Sequence, residues 1–292
     1  MKTFDEFLRK HHAPGTAKRY AREVSLFFLS IEPAFQNERK KRDANYIEIM
    51  QYLGEVRKAK GGRNLRCTLA AIKRYFDYLN ETEQRADHPA KSIRLRDKRH
   101  RDIQLQDLFA QAELELILDR KERYKILENR NQTILMLLIY QGLTTGEITN
   151  LQLSDIDFAQ AKISVQGGRK TNSRTLKLKP KQVLPLYKYI QDDRPKLLKI
   201  ESKKLIISKS GNPESGEGIS YLVSTKKKLF PLRKLNPKTI RQSVIANLLD
   251  AGMDLRKVQV FAGHRYPSST EQYRQTEVEA LKQAILKHHP LG

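Results

Sequence analysis

A break in the apolar patterning constrains this chain more than any other feature. Three stretches of helical periodicity end at Pro89, and Arg94 to Arg101 (RLRDKRHR) then places charge after charge with little to bury. A run of that composition solvates rather than packs, so residues 90–107 are expected to form a basic linker between two domains. The length of 292 residues suits that division, being enough for about two domains with their own cores. The expected boundaries are a helical domain over 1–89 and a larger domain over 108–292.

Periodicity defines the first domain. Thr16 is a candidate N-cap for a helix whose stripe is Tyr20, Val24, Phe27, Phe28 and Ile31. Asn45 can cap a second helix carrying Ile47, Met50, Leu53 and Val56, stopped by Gly61 and Gly62. A third places Leu65, Leu69, Ile72, Phe76 and Leu79 on one face. Lys18, Arg19 and Arg22 fall off the first stripe, and Arg63, Arg66, Lys73 and Arg74 off the third. Taken singly, each is an ordinary solvated charge; two helices with the same division suggest a shared phosphate-facing surface, continued by Arg96, Lys98, Arg99 and Arg101 of the linker.

Overall charge points the same way. With 56 Lys+Arg against 33 Asp+Glu, the formal net charge is +23, so a polyanion is the first partner to consider. A lipid surface is disfavoured, because no apolar run approaches the roughly 18 residues that cross a bilayer. The longest, Ile134 to Tyr140, reads as a buried helix segment. Residues 1–20 lack the layout of a signal peptide, and the single cysteine, Cys67, leaves no intramolecular disulfide and no cysteine-based zinc cluster. A reduced, cytoplasmic, nucleoid-associated protein is expected. Basic composition is shared by RNA-binding proteins, so it does not choose between nucleic acids.

The second domain reads as mainly α (α+β). LFAQAELELILD and Ile134 to Tyr140 indicate helices, Thr144 to Leu151 a short one, and SDIDF a turn. Lys162 to Gln166 and Arg174 to Leu178 alternate as two strands joined by GGRKTNS, with Leu205 to Ser208 a candidate third. Helices are expected to resume at Lys238: one over Ile240, Val244 and Leu248 stopped by Gly252, one capped by Asp254 and closed by Gly263, and one capped within Ser268 to Thr270 that carries Tyr273. Successive helices and turns would bring Lys238, Arg241, His264 and Tyr273 toward one point. A phenol attacking a phosphodiester needs cations and donors around the non-bridging oxygens and an acid for the leaving oxygen. That set contains such groups.

Those residues carry a resemblance. Arg241, LLDAGMDL, the AGH ending at His264, and Tyr273 nine residues further match the spacing of the tyrosine recombinase (phage integrase) family. YQGLTTGEITNLQLSDID resembles the box that opens that family's catalytic site, and AAIKRYFDYL its core-binding domain. The resemblance spans nearly the whole chain and implies the simple two-domain form. It implies that Tyr273 attacks the scissile phosphate to leave a 3′-phosphotyrosine, that Arg241 and His264 hold the phosphate, and that Glu147 orients the cations. Lys238 stands where the family most often has histidine. The hairpin would supply the acid for the leaving 5′ oxygen, from Lys170 or Arg169; lysine suits the task better, since a guanidinium rarely gives up a proton. Neither metal nor nucleotide cofactor is implied. Four active sites, hence a DNA-assembled tetramer, are implied, with Glu279 to Leu286 either a packing element between protomers or, equally, a helix docked on its own domain, and a DNA-bending protein a candidate accessory partner.

One position departs from the pattern. Where the family has its first active-site arginine, this chain has Thr144. Losing such a donor costs on the order of 3–4 kcal/mol unless another cation replaces it. The expected function is site-specific recombination serving integration or excision of a mobile element. Its rivals are a catalytically impaired DNA-binding accessory protein, and a basic RNA-binding or scaffold protein in which Tyr273 only packs. Tyr266 is the neighbouring alternative nucleophile.

Overall fold

A computed structural model describes residues 3–31, 42–60, 65–95, 103, 107–119, 122–168 and 171–273. The chain divides into two compact units, Met1–His100 and Arg101–Gly292.

Among the described residues, the first unit consists of α1 (Phe4–His11), α2 (Pro14–Ile31), α3 (Tyr46–Lys60) and α4 (Leu65–Glu81). α1 begins at a Thr3–Glu6 capping box. α2 starts at Pro14, so Thr16 lies inside it rather than capping it. Proline suits a first helical position, where its missing N–H is no loss. Asn45 does cap α3, its Oδ1 accepting from Ile47 N at 2.8 Å and Glu48 N at 3.1 Å. The buried face of α3 differs from the expected one: Ile49, Tyr52, Leu53 and Val56 are inside, while Ile47 and Met50 are exposed. Two apolar stripes overlap on that helix, and packing against α2 and α4 selects the one that includes Tyr52. The stripe on α4 is buried as expected. Ala90 and Ile93 are buried in the same core, and Lys73 Nζ donates to the carbonyls of Lys91 and Ile93. The stretch expected as linker therefore begins with residues packed on this unit, and at its far end Ile103 is buried in the second unit.

The second unit is helical around a small sheet. After α5 (Gln111–Leu116) comes α6 (Glu128–Tyr140), whose final apolar run is wholly buried. α7 (Thr145–Asn150) leads to an antiparallel sheet of β1 (Ile156–Asp157), β2 (Lys162–Val165) and β3 (Arg174–Lys177), in that order. β1 is the third strand, not Leu205 to Ser208. The backbone of that segment is satisfied elsewhere: Leu205 N donates to Leu151 O, and the Tyr189 hydroxyl binds both Leu205 O and Ile207 N. Helices also return earlier than expected, as α8 (Pro180–Lys188), α9 (Arg194–Leu197) and α10 (Gly216–Ser224). α11 (Pro237–Asp250) and α12 (Leu255–Ala262) follow. Residues 268–273 are helical and carry Tyr273. Asn236 and Asp254 cap α11 and α12, and Gly263, at φ 67°, closes α12 in the left-handed conformation glycine favours.

Candidate active site

The site is built where short elements end. α6 stops at Tyr140, and Gly142 turns the chain at φ 58°, exposing its carbonyl to Arg241 from α11, which donates to it. Arg241 also donates to Ala262 O at the end of α12. One buried guanidinium thus fastens three segments while keeping its charge beside Glu147, 3.6 Å away.

Thr144 is the N-cap of α7. Its hydroxyl accepts from Glu147 N at 3.2 Å and donates to Glu147 Oε2 at 3.0 Å, while its own amide reaches the same oxygen at 2.8 Å. Threonine at this position therefore has a structural task, and Glu147 has one beyond any active-site role. The other carboxylate oxygen, Oε1, accepts from Arg174 Nη1 at 2.6 Å. Burial works to raise the Glu147 carboxyl, but the Arg174 hydrogen bond and charge, the Thr144 amide and Arg241 outweigh it and hold the group below its ordinary value.

Arg174 is the residue that sequence reasoning overlooked, reading it only as the start of the second hairpin strand. The signal was present: along β3 and just beyond, Arg174, Leu176 and Leu178 are buried and Thr175 and Lys177 exposed, so an arginine occupies the inward phase of a strand. The loop between β2 and β3 reaches α12. Asn172 N donates to Gly263 O at 2.9 Å, and Thr171 bridges His264. Gly263 permits the approach, because a Cβ there would lie 2.5 Å from Arg174 Nη1.

His264 is half-buried, and its Nδ1 meets Thr270 Oγ1 at 2.9 Å, which leaves Nε2 to face a ligand. Burial, then the Arg241 and Arg174 charges, push its pKa down to about 4, so the ring is neutral near pH 7. Tyr273 packs with Ile103, Ile245, Val258 and Ala262. Burial raises its hydroxyl to about 12 against the pull of Arg241. Tyr266 is exposed. Lys238 is exposed in the first turn of α11. Lys170 and Arg169 lie outside the described residues, between Gly168 and Thr171, which hydrogen-bond to each other.

Of the expected DNA-facing residues, Lys18, Arg19 and Arg22 lie on α2 and all three are exposed. Arg66 is half-buried on α4, and Arg74 pairs with Asp77 at 3.0 Å. Lys73 is turned to backbone carbonyls, as above. Arg63, Arg96, Lys98, Arg99, Arg101 and Glu279 to Leu286 lie outside the described residues. Among the described residues no helix is long and apolar enough to cross a membrane, and no group of three or more His, Cys, Asp or Glu is arranged to hold a metal.

Comparison with known proteins agrees with this architecture. The chain is 24% identical over 296 residues to tyrosine recombinase XerC of Lacticaseibacillus casei, covering 98% of this chain and 97% of that protein. It is 26% identical over 300 residues to tyrosine recombinase XerC of Oceanobacillus iheyensis, covering 99% and 95%. Among solved structures, the XerH site-specific recombinase bound to its palindromic difH substrate, in a post-cleavage complex, has a TM-score of 0.68 at 18% identity, covering 92% of this chain and 78% of that one. The Tn1549 transposon integrase with a circular intermediate DNA has a TM-score of 0.63 at 16% identity, covering 96% and 100%. These likenesses establish the fold. The model of the phage integrase family matches residues 107–279, more than half of the chain. The chain therefore belongs to the phage integrase family, the tyrosine-type site-specific DNA recombinases.

Proposed function

We propose that this chain binds duplex DNA at specific sites and cuts and rejoins it through a 3′-phosphotyrosine at Tyr273, integrating or excising a mobile element. The observation that carries this reading is the gathering of Glu147, Arg174, Arg241, His264 and Tyr273 from separate segments around one buried, positively charged centre. As the Tyr273 oxygen attacks, the phenolic proton passes to water and the bond from phosphorus to the 5′ oxygen breaks. That oxygen departs as a hydroxyl after receiving a proton, for which Lys170 is the proposed donor and Arg169 the alternative. Arg241 and neutral His264 donate to the non-bridging oxygens. The ester keeps the energy of the broken bond, so religation needs no nucleotide. The raised Tyr273 hydroxyl makes the DNA-free enzyme a poor nucleophile, which suits a site switched on by its substrate.

The mobile-element role draws support from a fragment of the transposon integrase as a fold neighbour, all of which this chain matches. A DNA-assembled tetramer, with Glu279 to Leu286 between protomers, and a DNA-bending partner belong to the same proposal.

The test is covalent trapping on a nicked duplex selected from a random-sequence library by binding to this chain. Wild type should give an adduct and Tyr273→Phe none, at equal DNA affinity. An adduct that persists in Tyr273→Phe and disappears in Tyr266→Phe would move the nucleophile. Tight binding without any adduct would mark an accessory DNA-binding protein, and preference for RNA over duplex DNA would end the recombinase reading.

A further inference from the structure

Resting on that cleavage reading, we infer that Arg174 is the second phosphate-binding guanidinium of this chain and takes over the work of the arginine missing at position 144. Three observations converge on it. The first is an unfilled edge. Arg174 lies almost wholly inside, its Nη1 is spent on Glu147, and its Nε and Nη2 are both buried with no hydrogen-bond partner among the described residues. Those two N–H groups form one side of the planar guanidinium and point the same way. That is the side that receives two oxygens of a phosphate in parallel.

The second is the contrast with two other buried arginines of the same unit. Arg130 engages Ile207 O through Nε, Asn131 through Nη1 and Glu214 through Nη2. Arg194 directs Nε to Lys204 O and Leu205 O, and Nη2 to Ser202 O and Lys204 O. The edge that both of these fill is the one Arg174 leaves empty. A buried donor without an acceptor is costly, so a missing acceptor at this arginine points to a ligand.

The third is charge. Glu147 is shared by Arg174 and Arg241, so these three side chains carry one more positive charge than negative. Arrival of one phosphodiester brings the group to neutrality. Both unpaired nitrogens are shielded from water in the DNA-free chain. A phosphate that reaches them meets donors that are already oriented and dry, where a charge-assisted bond is strongest. The contacts of Thr171 with His264 and of Asn172 with Gly263 hold the strand bearing Arg174 against the turn bearing His264, so both would address one phosphate.

The test uses the full-length chain and the selected nicked duplex, with strand cleavage as the readout. Arg174→Ala should slow cleavage about a hundredfold to a thousandfold, with DNA affinity held within about threefold. The double variant Thr144→Arg with Arg174→Ala should regain about tenfold or more over Arg174→Ala alone, because it returns a guanidinium to the same centre from the other side. On a duplex with a neutral methylphosphonate at the scissile position, the Arg174→Ala defect should shrink, since no phosphate charge is left to balance. A residue that only props up Glu147 would show the same defect on both duplexes and no rescue. Should Arg174→Ala not fold, Arg174→Lys carries the test: it should cleave at least about tenfold more slowly than wild type for want of a two-pronged grip, and cleavage within about threefold of wild type overturns the inference. Cleavage by Arg174→Ala within about threefold of wild type, or a defect that is equal on both duplexes and not rescued, overturns the inference and leaves the recombinase reading standing. A wild-type chain that cleaves nothing removes both.

Discussion

The second unit buries arginines on two sides of its core, and the two sides treat them differently. Around Ile207 and Leu205, Arg130 and Arg194 are tied down along the edges they present, to carbonyls, to Asn131 and to Glu214. They stitch the irregular chain between α9 and α10 to helices whose own backbones are already paired. Around Gly263, Arg174 uses one nitrogen and Arg241 is divided between two carbonyls and a shared carboxylate. The first arrangement is finished without a ligand. The second, among the described residues, leaves buried donors unfilled, an expense that a fold carries only where something else is to bind.

Removing the finished arginine should have the largest effect on stability. Arg130→Ala strands Glu214 and the Ile207 carbonyl inside the protein, and should destabilise it by about 3–5 kcal/mol in urea unfolding. Arg174→Met takes one hydrogen bond from Glu147 but leaves it Arg241 and the Thr144 amide, and relieves Arg241 of a like neighbour, so it should cost less, about 1–3 kcal/mol. Equal losses would erase the distinction between the two sides. Arg241 lies between these extremes. Arg241→Lys should stay folded, because a lysine can still reach one carbonyl, yet lose about a hundredfold in cleavage for want of a two-pronged grip. Full activity in that variant would show that a point charge suffices.

Two smaller effects concern the basic stretch after Leu95 and the His264 ring. Replacing Arg96, Lys98, Arg99 and Arg101 together by alanine should weaken DNA binding on all sequences alike. It should also flatten the salt dependence by up to about 0.9 in log–log slope for each DNA phosphate that these side chains neutralise. A change confined to one sequence would contradict phosphate tracking. The smallest effect concerns His264. The unfolded chain takes up this proton near the ordinary 6.5 and the folded chain only near 4. Stability from this group is therefore complete above that ordinary value and is lost as pH falls toward 4. Between about pH 7 and about pH 5, His264→Gln should lose less stability than wild type. An identical loss would mean the ring is not held neutral in the folded chain.

Legibility in the sequence followed the range of the interaction. Caps and stops written in a few adjacent residues were readable: Asn45, Asp254, Gly252 and Gly263 act where local chemistry puts them. So were the α4 stripe and the run ending at Tyr140, where side chains alone dictate the buried face. The face of α3 was not, because two stripes compete and only the neighbouring helices decide. α8 was hidden by Pro185 within it, and α10 by the glycines of its first turn. The segment 205–208 has strand composition, but its backbone partners come from Tyr189 and Leu151, far away in sequence. In the candidate site the spacing of Arg241, His264 and Tyr273 was legible as a pattern. Thr144 read as a deficit, although it also caps α7. The inward phase of Arg174 on β3 was open to reading, but which of its nitrogens lack partners among the described residues shows only in three dimensions.

The central claim, that this buried and charged centre makes a covalent bond to DNA through one particular tyrosine, has a direct measurement. The complex formed on the selected nicked duplex is digested with protease and nuclease, and the nucleotide-bearing peptide is sequenced by mass spectrometry. The account predicts a single modified peptide, with Tyr273 esterified to a 3′ phosphate and the opposite DNA end carrying a free 5′ hydroxyl. Modification of Tyr266 or another residue, or linkage to a 5′ phosphate, would contradict it.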